Sequence, residues 1–180
     1  MKKSEKATPK KRTSKKKLSP EQLRQQFDEQ LRMRYWVENE LVELLPRLLK
    51  KATSYELATA IEEQLEIAKA QVICIIHVFD AMQERAVGYK SPEMAALIEE
   101  AEKVINSEVM GYAGDASIIA ICESIMLLEI DSFKKLFADA MVIGEKKAAL
   151  YLEDAIITEQ HAHSLLAEIA LSSIYFEEAG

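Results

Sequence analysis

A chain of 180 residues has room for one domain with a sizeable core plus a tail, and not for two domains. With 49% hydrophobic residues, five Gly and four Pro, it must consist of long regular elements with few turns, and its Ala, Leu, Glu, Ile and Lys content reads as all-helical. The net charge of −7 is unevenly split: residues 1–17 hold nine Lys/Arg against Glu5, a net of +8, which leaves −15 on residues 18–180.

The basic arm has few apolar side chains, Met1, Ala7 and Leu18, so it cannot bury enough surface to fold, and a disordered tail is expected over residues 1–18. A solubilising tail is the simpler reading of nine cations on a flexible arm, and weak, sequence-independent contact with DNA is the sharper one. No stretch approaches the roughly 20 apolar residues that span a bilayer, and the N-terminus lacks the apolar segment of a signal peptide. Two cysteines, Cys74 and Cys122, lie inside apolar helical pattern, which suits a reducing compartment. A cytoplasmic protein with no membrane contact is expected.

Ser19-Pro20-Glu21-Gln22 opens the first helix: Ser as N-cap, Pro at the first helical position and Gln three residues after the cap. Its stripe of Leu31, Tyr35, Leu41, Val42, Leu45, Leu48 and Leu49 runs to about Lys51, with a bend expected at Pro46. Glu38 lies on that stripe. A carboxylate on a core face must be neutral, hydrogen bonded, paired or bound to a cation. Arg34, four residues earlier, is the available ion-pair partner, and Gln64 and Gln71, on the facing stripe of the second helix, offer hydrogen bonds.

Thr53-Ser54-Tyr55-Glu56 opens a second helix to about Glu84, whose stripe includes Leu57, Ile61, Gln64, Ile67, Ala68, Gln71, Cys74, Ile75 and Val78. Ser91-Pro92-Glu93 starts a short helix to about Asn106. Gly111–Gly114 reads as a loop, after which Asp115 is predicted to cap a third long helix through Ile119, Cys122, Met126, Phe133 and Leu136, stopped by Gly144. A fourth, from about Glu145 to Ser172, is predicted to turn Leu150, Ile157, His161, Leu165 and Ile169 inward. Four long helices in two antiparallel hairpins, joined by a long crossover with a short fifth helix, have the connectivity of ferritin-like bundles. The bundle is expected over residues 19–175.

The run RYWVENELVELLPRLLKKATSYELATAIEEQLEIAKAQV resembles the signature of the YciE/YciF family of ferritin-like, stress-associated bacterial proteins. AALIEEAEKVI, LLEIDSF and LEDAIITEQHAHSLLAEIA are similar to the same family in order and spacing, so the resemblance spans about residues 25–172. It implies a dimerising four-helix bundle with a di-metal site built from inward Glu on all four long helices. Carried across by position, Glu38 matches the family's first Glu, while Glu66, Glu129 and Glu159 are the remaining candidates for an altered ligand set. The family's other positions fall on Gln64, Ile67, Met126, Leu127 and Thr158.

Ile and a Met thioether do not ligate hard di-iron or di-manganese centres, so most of the metal site is expected to be lost, with no cofactor. The alternative is a di-iron or di-manganese protein that oxidises Fe(II) or consumes peroxide. Glu159 with His163, and Cys74 with His77, share helix faces but lack matching partners elsewhere, which reads as solvation or packing. A Gly-rich phosphate loop, a Ser/His/Asp arrangement and aromatics interleaved in the basic arm are all missing from the pattern, so nucleotide chemistry, hydrolysis and strand stacking have no signal. A homodimer is expected from the resemblance and from Tyr112, Phe137, Tyr175 and Phe176, which exceed what one core stripe needs.

Overall fold

The computed structural model describes residues 18–178, with side chains through Ser172; the basic arm and the side chains of Tyr175 and Phe176 lie outside the described residues. The described chain is all-α: α1 (Pro20–Leu49), α2 (Tyr55–Ala81), a short α3 (Pro92–Asn106), α4 (Gly111–Ile143) and α5 (Lys146–Glu178). The long helices form two hairpins, α1–α2 and α4–α5, packed side by side, and α3 lies on α4 and α1. No helix among the described residues is long and apolar enough to cross a membrane.

Local chemistry sets most helix ends. Ser19 and Gln22 make the reciprocal capping box, with Ser19 N donating to Gln22 Oε1 at 2.9 Å and Gln22 N donating to Ser19 Oγ at 3.2 Å. Ser54 Oγ accepts from Leu57 N, and Ser91 Oγ accepts from Met94 N, at the starts of α2 and α3. Gly144, with φ of +83°, closes α4 in the left-handed conformation that a side chain would oppose. Pro46 lies inside α1, which ends three residues later at Leu49.

One predicted helix start is corrected. α4 begins at Gly111, and Met110 precedes it without a side-chain cap. Asp115 therefore lies inside the first turns of α4, and its carboxylate instead accepts from Thr53 N (2.8 Å), Thr53 Oγ1 (2.7 Å) and Ser54 N (2.7 Å). Asp115 thereby ties the α1–α2 turn to the second hairpin. Sequence pattern sees local caps, and a carboxylate can serve another helix equally well.

The face of α5 is also corrected. Leu150 and Ile157 are 64% and 60% exposed, His161 is exposed, and Leu165 and Ile169 are half-buried. The buried row is Ala148, Ala149, Leu152, Ala155, Glu159, Ala162 and Leu166. Small side chains let α5 approach α4 and α2 closely, so the row of alanines is the packed one and the bulkier row faces outward. Phe137 is half-buried against the core, whereas Tyr112 is 41% exposed.

The crossover is held against α1. Tyr89 N donates to the Arg32 carbonyl at 3.0 Å, and Arg32 lies over the rings of Phe79 and Tyr89. Gly88 passes so close to α1 that a Cβ there would lie 3.0 Å from Trp36 Cβ.

The core divides into two apolar clusters. One holds Leu41, Leu45, Leu57, Ile61, Ile118, Ile125 and Leu166 among others, and the second holds Phe27, Leu31, Ile75, Phe79, Phe133, Leu152 and Ala155. On each long helix a buried polar residue falls between the members of these clusters: Arg34 and Glu38 on α1, Gln64 and Gln71 on α2, Glu129 on α4 and Glu159 on α5.

Candidate functional site

This polar layer is the candidate site. Each helix presents its polar residue on the same face as its apolar neighbours, because spacings of three and four from Leu31 and Leu41 place Arg34 and Glu38 on the core stripe. Arg34 is 2% exposed, and Glu38, Glu129 and Glu159 are fully buried.

Arg34 joins two helices. Its Nε donates to Glu38 Oε1 at 2.9 Å, and its Nη2 donates both to Glu38 Oε1 and to Glu129 Oε1. The guanidinium lies over the Phe133 ring at 4.4 Å, a position that favours a cation against the ring face. Gln64 extends the network to the other two helices, its Nε2 donating to Glu129 Oε2 at 3.4 Å and to Glu159 Oε2 at 3.1 Å. All four long helices are thus tied through one ion-pair and amide network.

Donors are outnumbered. Glu38 Oε2, Gln64 Oε1, Gln71 Oε1 and Glu159 Oε1 are buried without a hydrogen-bond partner among the described residues. One guanidinium also cannot balance three buried carboxylates, and uncompensated buried charge is costly. Protons offset the difference. Burial pushes the Glu38 carboxyl up to about 7 against the pull of Arg34, and the Glu159 carboxylate adds to the rise. Burial, with Glu159 beside it, holds the Glu129 carboxyl well above the carboxylate range, and burial raises Glu159 against the opposing effects of Gln64 and Arg34.

Of the four carboxylates expected from the sequence, three converge here. Glu66 does not: its side chain is 68% exposed and accepts from Lys69 Nζ at 2.7 Å. The matched positions on the other helices also separate, with Ile67 half-buried, Met126 buried and Thr158 exposed. The carboxylate aimed inward from α5 is Glu159, one residue beyond Thr158, and Glu129 joins Met126 in facing inward from α4. Among the described residues no group of three or more His, Cys, Asp or Glu is placed to hold a metal ion.

Each paired candidate from the sequence has other partners. His163 lies 3.8 Å from Glu123 rather than turning to Glu159. Cys74 donates to the Tyr151 carbonyl at 3.5 Å, with burial raising its thiol to about 11, and His77 stacks on the Tyr151 ring at 5.7 Å. The Arg34–Glu129 pair, 95 residues apart in the chain, and the Gln64 bridge to Glu159 have no local signal; polar residues on apolar stripes, Glu38 and Gln64, were their trace in the sequence.

Residues 22–177 match the family described as "Domain of unknown function (DUF892)". The chain belongs to this family. Protein YciF of Escherichia coli (strain K12) is 28% identical over 141 residues, which cover 78% of this chain and 85% of the relative. The crystal structure of the E. coli stress protein YciF superposes with a TM-score of 0.82 at 27% identity, covering 85% of this chain and 97% of that one. YcfI from Rhodopseudomonas palustris shares the fold with a TM-score of 0.78 at 23% identity, covering 81% and 92%. The helical architecture and the resemblance read from the first two helices therefore agree with these comparisons.

Proposed function

We propose that this DUF892 protein is a non-catalytic, stress-associated ferritin-like bundle that works as a cytoplasmic homodimer, with a guanidinium neutralising the carboxylates that would otherwise hold two metal ions. The observation that carries the reading is the position of Arg34, whose Nη2 meets Glu38 and Glu129 together inside the core. A two-ion centre needs about four inward carboxylates. Three are present, with Gln64 as the remaining neighbour, and a fixed cation already takes up one oxygen from each of two. Two unit positive charges 4 Å apart repel by about 4 kcal/mol at an effective dielectric of 20, and a divalent ion doubles that. The residues present do not fit a two-ion centre.

The association with stress rests on the name of the E. coli relative. Dimerisation is supported by apolar side chains exposed on α2 and α5, namely Ile73, Leu150 and Ile157. The arm of residues 1–17 is proposed to add weak, salt-sensitive contact with DNA.

A second reading, a di-iron or di-manganese protein with an altered ligand set, is favoured by the unpartnered oxygens Glu38 Oε2, Gln64 Oε1 and Glu159 Oε1. Elemental analysis of protein purified without chelators, combined with thermal unfolding in Fe(II) and Mn(II), separates the two. The bundle reading expects substoichiometric metal and an unchanged melting temperature. Two ions per chain, with melting raised by several degrees, would overturn it.

A further inference from the structure

A cleft of about 210 Å³ opens between α1, the start of α3 and α4, and Arg34 forms part of its lining. Arg34 is 2% exposed, and its hydrogen bonds use Nε and Nη2. Nη1 has no hydrogen-bond partner among the described residues, and it is not sealed off as the orphaned carboxylate oxygens are. Two charged N–H groups are therefore unused on a nearly buried side chain that borders open volume. Further donors stand around it: Ser91 Oγ accepts from Met94 N and keeps its proton free, and Gln30 and Ser132 make no side-chain hydrogen bond among the described residues. Glu93 and Asp131 also border the cleft, and Lys135 serves both, with its Nζ 2.7 Å from Asp131 Oδ2 and its charge further stabilised by Glu93. Both acids are exposed, where water screens them, whereas Arg34 is buried. Met33, Val37, Met94 and Leu128 supply apolar walls.

We propose that this cleft binds a small organic monocarboxylate, whose oxygens accept from Arg34 Nη1 and the Ser132 hydroxyl and whose apolar body lies against the Met33, Val37, Met94 and Leu128 walls. A carboxylate gives the free guanidinium nitrogen the charge-assisted acceptor that it lacks. Inorganic phosphate, polar on every side and more highly charged, would leave the apolar walls uncovered and meet stronger repulsion from Glu93 and Asp131. The assignment goes beyond the bundle reading, because it gives the protein an organic ligand and does not depend on whether the carboxylate layer takes up metal.

Benzoate is the probe, and isotope-labelled methionine methyl groups in the full-length protein report where it binds by nuclear magnetic resonance. Met33 and Met94 line the cleft, while Met126 lies in the apolar core and Met141 is exposed near the end of α4. Millimolar benzoate should move the Met33 and Met94 resonances saturably and leave those of Met126 and Met141 in place. Benzyl alcohol, similar in shape but uncharged, should bind about tenfold or more weakly, and phosphate should move neither resonance. Ser132→Trp, at a half-buried position, fills the cleft and should abolish the shifts while helical circular dichroism is kept. Arg34→Lys keeps a cation but loses the Nη1 donors, so it should weaken benzoate binding about tenfold or more. Unmoved Met33 and Met94 resonances in the parent overturn the proposal, as does binding of benzyl alcohol or phosphate equal to that of benzoate. A folded Ser132→Trp or Arg34→Lys that binds benzoate as the parent does overturns it too. Should either variant fail to fold, the titrations of the parent decide by themselves.

Discussion

Stability should fall as pH rises from 5 to 8, the opposite of what ordinary carboxylate ion pairs produce. Glu38 has an ordinary pKa of 4.5 when unfolded and about 7 when folded, because burial outweighs the attraction of Arg34. A raised carboxyl contributes stability that is fully present below the unfolded value and is lost as pH passes through the folded one. Between these limits the folded protein holds a proton that the unfolded chain has released. At 1.36 kcal/mol per pKa unit, the loss is about 3 kcal/mol, equivalent to roughly 6–12 °C in melting temperature for a chain of this size. Glu129 and Glu159 are displaced in the same direction and add to the slope. Glu102, lowered by its pairing with Arg47, contributes the opposite sign, but its effect is confined to pH below its ordinary value of 4.5. Urea unfolding at pH 5, 6, 7 and 8 reads the slope directly. Glu38→Gln keeps the side-chain shape and an oxygen for Arg34, removes one titrating group, and should match or exceed the parent at pH 8 while losing about one proton of pH dependence. A parent whose stability is flat or rises over this range would refute the reasoning, as would a Glu38→Gln slope equal to the parent's.

Asp115→Ala removes three hydrogen bonds to the α1–α2 turn, and urea unfolding should show a loss of about 1–3 kcal/mol with the fold retained by circular dichroism. Leu150→Glu with Ile157→Glu alters two exposed positions, so thermal unfolding of the dilute protein should change little. If that face joins two copies, light scattering will show the mass halved relative to the parent; an unchanged dimer would place the interface elsewhere. Deleting residues 1–17 should abolish retention of DNA at low salt, and equal retention by the shortened protein would eliminate the arm as the contact.

Helix number, order and most ends were legible in the sequence because they depend on neighbours along the chain. Ser19 with Gln22, Ser54, Ser91 and Gly144 act within a turn or two of their own positions, so each cap can be read without knowing what lies across the bundle. Glu38 was conspicuous for the same reason: its place on an apolar stripe demanded a partner, and Arg34 stood one turn away. The choice of face on α5 was not legible. Alanine adds little to an apolar pattern, so the bulky row of Leu150 and Ile157 outweighed the row of Ala148, Ala155 and Ala162 that close packing favours.

The polar layer shows the same division. Its residue types and their inward setting on α1 and α2 follow from the 3.6-residue period, and the chain alone determined that a charged pair would be buried there. Which atoms close the layer was decided by tertiary structure. Glu129 reaches Arg34 across 95 residues and Gln64 reaches Glu159 across another 95, contacts that exist because two hairpins dock in one register. A shift of one residue would turn Glu159 outward and bring in Thr158, and no local feature of α5 distinguishes those two settings. The packing of alanines against the neighbouring helices does, and through it the burial, charge balance and proton affinity of the whole layer are set.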